Sequence, residues 1–99
     1  MTTSGLEQIF HAHLERLDGL GAIVCFELGP DGTWVIDARS GAPALIADIR
    51  AADCVITIGG GDLIELFRGR LDPMAAYARG QVKVSGSLNV AMRLAALLG

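Results

Sequence analysis

The sequence predicts an α+β domain, a five-stranded mixed but mostly antiparallel sheet with helices packed on one face, in the order α-β-β-β-β-α-α-β-α. Three observations carry this. Between residues 22 and 58 run four short segments rich in β-branched and aromatic residues, separated by Gly, Pro, Asp and Ser turn signals. Residues 4–17, and most of the chain after 61, switch to apolar spacings of three and four. One further alternating run, 81–85, falls among those later helices, so the fourth and fifth strands are joined through helices and the sheet can be mixed.

The first helix spans 4–17, with Leu6, Ile9, Phe10, His13, Leu14 and Leu17 on one face. Ser4 and Glu7 have the S-x-x-E spacing in which each side chain satisfies the other residue's backbone N–H, and Gly19 suits the left-handed position that ends a helix. "AIVCFEL" (22–28) and "TWVIDA" (33–38) flank "GPDG" as a hairpin. "ALIADI" (44–49) follows "SGAP" as a short third strand, and "DCVITI" (53–58), apolar almost throughout, reads as a central fourth. Asp62 and Glu65 resemble a capping box opening the second helix, which Gly69 ends. Asp72 caps a third helix with Pro73 at its first position, where the missing N–H costs nothing, and Gly80 ends it. After the strand 81–85, Ser87 caps a closing helix that runs to 98 and is apolar nearly all round.

Ninety-nine residues fit one domain, 1–99, with a modest core. Yet 52% of the residues are apolar and mean hydropathy is +0.46. That excess calls for an internal cavity, an oligomer interface or a membrane. No stretch approaches the ~20 apolar residues of a membrane span, and the first ten residues have no leader pattern, so a cytoplasmic address is expected. A net charge of −3 without clustered Lys and Arg argues against nucleic acid. Cys25 and Cys54 lie in apolar strands and read as buried thiols, and no Cys or His spacing suits a metal, so neither metal nor cofactor is expected.

The other motifs have structural explanations. "GGGD" (59–62) links a strand to a helix as phosphate loops do, but it lacks the lysine of one such pattern, and Ile64 stands where the other needs glycine. It reads as a turn leading to the Asp62 cap. His11 and His13 diverge on their helix. The acids are placed at helix starts, in turns or on hairpin strands (Glu27, Asp37). Ser4, Ser40, Ser85 and Ser87 sit at caps, turns or strand ends, and none is in a nucleophile-elbow setting. No catalytic residues are expected, and the protein is read as not an enzyme.

Residues 52–98, "ADCVITIGGGDLIELFRGRLDPMAAYARGQVKVSGSLNVAMRLAALL", resemble the sterol carrier protein-2 domain family. The pattern is Ala52-Asp53 before an alternating strand, Asp62 opening a helix, and Gly69-Arg70. It continues with Asp72-Pro73 followed by Tyr77, Gly80 before a Lys83-containing strand, and Gly86 before Ala91-Met92-Arg93-Leu94. The preceding half matches in order, with Trp34 in the second hairpin strand. Gly59-Gly60-Gly61 departs from the family's usual acidic or small polar residues, and the chain ends at Gly99 without the peroxisomal signal of eukaryotic members, as a short bacterial form would. The resemblance implies a hydrophobic tunnel between sheet and helices and non-catalytic binding, with intracellular transfer, of fatty acid, fatty acyl-CoA, isoprenoid or sterol-like lipid. Its alternative is an accessory module of a lipid-metabolism or quinone-biosynthesis complex that uses the closing helix as a dimer or partner interface. Expected partners are accordingly a lipid ligand, transient membrane contact, a lipid-metabolism enzyme, and a monomeric or homodimeric state.

The inward faces of the predicted elements nominate the lining: Phe10, Leu14 and Leu17 on the first helix, Val24 and Phe26 on the first strand, Leu63, Phe67 and Met74 on the middle helices, and Leu88 and Met92 on the closing helix. Arg16, beside the first helix's apolar face, is the candidate for a lipid head group.

Overall fold

A computed structural model describes residues 2–39, 42–46 and 52–98, with only the backbone described for residues 2–7. The side chains of Ser4 and Glu7, all of Ser40, and residues 47–49 of the expected third strand lie outside the described residues. Helix α1 runs Thr2–His13 and tightens into a 3₁₀ turn at Leu14–Leu17. Strands β1 (Ile23–Glu27), β2 (Thr33–Asp37), β3 (Ala44–Ile46) and β4 (Cys54–Ile58) follow. Helices α2 (Gly60–Phe67) and α3 (Pro73–Ala78), strand β5 (Val82–Gly86) and helix α4 (Leu88–Leu98) complete the order.

The strands form one sheet, β3-β2-β1-β4-β5, in which only the β1–β4 pair is parallel. Two antiparallel units, β3-β2-β1 and β4-β5, thus meet along one parallel seam. The hairpin bends through a 3₁₀ turn at Gly29–Asp31, where the Leu28 N–H donates to the Gly32 carbonyl at 2.8 Å. Period-two alternation sends Val24, Phe26, Ile36, Cys54, Ile56 and Ile58 to the helix side, into the main core with Phe10, Leu17, Leu63, Phe67, Val90 and Leu94. The alternate residues Ile23, Cys25 and Val35 form a smaller core on the other face. Cys25 and Cys54 therefore face opposite ways. Burial raises both thiol pKa values, with Glu27 and Asp53 adding to the effect, and this suits unreactive thiols.

Helix ends follow the predicted chemistry in most places. The Asp72 carboxylate accepts from the Ala75 N–H at 3.1 Å, and the Ser87 hydroxyl from the Val90 N–H at 3.3 Å. Gly69 and Gly80 adopt φ of +74° and +79°. Each closes paired bonds over the last turn, Arg70 N–H to the Glu65 carbonyl and Gln81 N–H to the Ala76 carbonyl. Two expectations change. Gly19 has φ +89° but sits in a β-turn after the 3₁₀ segment, with the Leu20 N–H donating to the Leu17 carbonyl, so it caps no α-helix. Asp62 does not cap α2, because that helix starts two residues earlier with Gly59 at its cap and Asp62 inside its first turn. Gly60 is buried, and a side chain there would collide with the Asp31 carboxylate of the hairpin turn. The triglycine thus admits an acidic group against the positive end of α2. Gly60 is thus a packing position for the hairpin turn.

Candidate functional site

The apolar excess resolves into a solid core and a groove beside it. In the solid part, the Phe10 ring packs against Phe26 and Phe67 at 5.6 Å each and stacks on Trp34 at 5.1 Å. The Trp34 indole N–H donates to the Asp31 carbonyl at 2.9 Å. His13 lies flat on Phe67, with ring centroids 5.2 Å apart.

The groove opens between β4–β5 on one side and α3 and α4 on the other, with a volume of about 150 Å³. Ile56, Val82 and Val84 form its floor, with Phe26 behind them, while Pro73, Met74 and Tyr77 of α3 form one wall. Leu88, Ala91, Met92 and Ala95 of α4 form the other, at helical spacings of three and four, and Leu66, Leu94 and Leu98 close the inner end. Among the described residues, Tyr77 supplies the only side-chain polar atom of the lining. Met74, Tyr77, Leu88 and Met92 are also, among the described residues, the large apolar ones left about half exposed, from 47% to 53%. All four stand at the mouth of this one groove. A chain spends apolar surface in water this way when something is to cover it.

Four of the ten nominated lining residues meet here: Phe26, Met74, Leu88 and Met92. The other six do not reach the groove. Phe10, Leu17, Val24, Leu63 and Phe67 are at most 1% exposed inside the packed core, and Leu14 is half-buried against it. Arg16 is committed elsewhere. Its guanidinium donates to the Phe67 carbonyl and, at 2.7 Å, to the Leu98 carbonyl. Those are the last residues of α2 and α4, so Arg16 satisfies the terminal carbonyl of each helix. Inward-facing periodicity does not distinguish solid packing from a cavity wall. The missed lining on α4 does carry a signal: Ala91 and Ala95 join the nominated Leu88 and Met92 in a second apolar stripe, apart from the Val90–Leu94 stripe that packs on the sheet.

His13 gives the region a pH dependence. Burial first, then the Arg16 and Arg68 guanidinium groups, lower its pKa from the ordinary 6.5. The folded state thus takes up the proton less readily than the unfolded chain. Stability is fully present above pH 6.5 and falls as the pH drops below it toward the folded pKa. The urea midpoint is expected to be lower at pH 5.5 than at pH 7.5, a range in which few carboxylates titrate. His13→Gln should flatten that difference, and an unchanged difference would reassign it to another group.

Known proteins fit this architecture. Residues 6–99 match the family model described as the SCP-2 sterol transfer family. Sterol carrier protein 2 of Rattus norvegicus is 36% identical over 89 residues, which cover 84% of this chain but only 16% of that protein. This chain therefore spans about a sixth of the length of that relative. The solution structure of sterol carrier protein domain 2 of Helicoverpa armigera superposes with a TM-score of 0.70 at 28% identity, covering 98% of this chain and 82% of that one. The crystal structure of Sterol Carrier Protein 2 Like 2 from Aedes aegypti gives 0.77 at 17% identity, covering 96% and 97% respectively, a likeness of fold. Lipid binding or transfer is the general property of the domain, and no helix of the described residues is long and apolar enough to cross a membrane. Sequence, fold and the relatives that share them agree: the chain belongs to the SCP-2 sterol transfer family.

Proposed function

We propose that this chain is a non-catalytic, cytoplasmic lipid-binding domain that holds one apolar chain of its ligand in the groove between β5, α3 and α4. The observation that carries the reading is the coincidence of an apolar groove, with Tyr77 alone bringing a polar side-chain atom among its described lining, and an exposed apolar rim. Each methylene moved from water into such a site contributes roughly 0.8 kcal/mol, so hydrocarbon alone supplies useful affinity with few polar contacts. The small volume and the adaptable Met74 and Met92 side chains favour an acyl or isoprenoid chain over a rigid sterol ring system. Of the residues nominated from sequence, Phe26, Met74, Leu88 and Met92 keep the assignment as ligand contacts. Arg16 loses its assignment to a head group, because it is engaged with the ends of α2 and α4.

A fluorescent fatty acid offered to the purified protein, with mass spectrometry of natively extracted material, tests this. Saturable uptake by the wild type is expected. Ala95→Phe places a ring in the groove, where about 150 Å³ is room for one benzene-sized group. It should lower uptake at least about tenfold, or ~1.4 kcal/mol, without lowering the melting temperature. A wild-type protein that carries no lipid and takes up none sinks the reading. If light scattering then finds a dimer that hides Leu88 and Met92, the accessory-module alternative replaces it.

A further inference from the structure

The ends of α2 and α4 converge on one side chain. Arg16 stands in the 3₁₀ turn after α1, and its two terminal nitrogens donate to the Phe67 carbonyl of α2 and to the Leu98 carbonyl of α4. Each of those ends carries a partial negative charge, so the two helices repel unless a cation lies between them. Arginine suits the place because its planar fork offers donors to two acceptors at once. Among the described residues no other hydrogen bond joins α2 to α4. The turns held in this way carry Leu66 and Leu98, which are buried and close the inner end of the groove with Leu94. At the other end of α4, Leu88 and Met92 stand half exposed. The groove is thus a slot, open at the start of α4 and shut where α4 meets α2.

We infer that Arg16 sets the longest hydrocarbon chain the groove accepts, as a positioning residue that holds Leu66 and Leu98 together as a blind end. This rests on the groove being the lipid site. Each methylene that enters strengthens binding about fourfold, the equivalent of roughly 0.8 kcal/mol. The gain ends where the chain meets Leu66 and Leu98, and any further carbon stays at the mouth in water. Without the strap the last turn of α4 can move away from α2, and the slot lengthens.

Displacement of a bound fluorescent fatty acid by saturated fatty acids of about 8 to about 20 carbons tests the proposal. In the wild type, affinity should rise about fourfold per methylene up to one length and then stop rising. Leu98→Ala removes part of the blind end and should move that limit up by at least about two carbons. Arg16→Met keeps the stem but removes both donors, and should move the limit as far. Arg16→Lys keeps the charge without the fork and should move it less. A limit unmoved in Arg16→Met overturns the proposal, as does a loss equal at every length, which a purely structural role would give. Should Arg16→Met not fold, Arg16→Lys decides by the same two outcomes. An unmoved limit in Leu98→Ala overturns the proposal as well. A wild type that binds neither the probe nor any fatty acid instead overturns the reading of the groove itself.

Discussion

Phe67→Ala is expected to lower the melting temperature by about 15–30 °C. The ring is 1% exposed and lies where three others converge, edge-on to Phe10 and Phe26 and stacked beneath His13. Truncating a buried Phe costs about 3–5 kcal/mol when the cavity cannot collapse. Each kcal/mol moves the midpoint of a domain this size by about 4–8 °C. Collapse is difficult here because two neighbours are rigid aromatic rings fixed by their own contacts, with Trp34 buttressing Phe10 from the other side. Phe67→Leu should recover a large part of the loss. A fall under about 5 °C, read by circular dichroism, would mean that the cluster repacks freely.

The second large effect is expected at Gly86, the last residue of β5. Its φ is +88°, and a Cβ would stand 2.7 Å from the Asp53 carbonyl oxygen and 3.3 Å from the Cys54 Cα. Both obstacles are backbone, so neither can swing away. The left-handed conformation alone costs a residue with a side chain about 1–2 kcal/mol. Asp53 also holds the start of the parallel seam. Its N–H donates to the Ile23 carbonyl at 2.9 Å, its carboxylate accepts from the Ile23 N–H at 2.9 Å, and its carbonyl accepts from the Ser87 N–H at 2.8 Å. Gly86→Ala should therefore cost about 3 kcal/mol or more. Gly19→Ala isolates the two contributions, since Gly19 has φ +89° with nothing within 4 Å of its missing Cβ. Its expected loss is the conformational part only. Equal denaturation midpoints for the two variants would show that the Asp53 contact has no cost.

Much of this fold is legible in the sequence, because short-range chemistry marks it. Runs of β-branched and aromatic residues between turn signals marked four strands and alternation the fifth, and Asp72-Pro73, Gly69, Gly80 and Ser87 located helix ends to within a residue or two. Where reading failed, the cause was a contact distant in sequence. Asp62 looks like a cap, yet α2 begins two residues before it at Gly60, which packs against Asp31, thirty-one residues before Asp62. Phe10 and Phe67 look like lining until each is found filling the space beside the other. Arg16 looks like a free cation until two helix ends arrive at it from residues 67 and 98. The site was half legible for the same reason. The two stripes of α4 are written in its residues, but which stripe meets solid core and which meets empty space depends on how α3 and β5 close around it.

The parallel seam has a consequence for how this domain can change over generations. Every lining residue of the groove except Phe26 comes from one side of the seam, from residues 56–98. The other side supplies Phe10 and Trp34 of the aromatic cluster, the Asp31 carboxylate and the Arg16 strap, which are supports. Selection for a different ligand can therefore act on one uninterrupted stretch of coding sequence. A groove so encoded can be exchanged between relatives as a cassette, with Phe26 as the one residue that must be matched across the join.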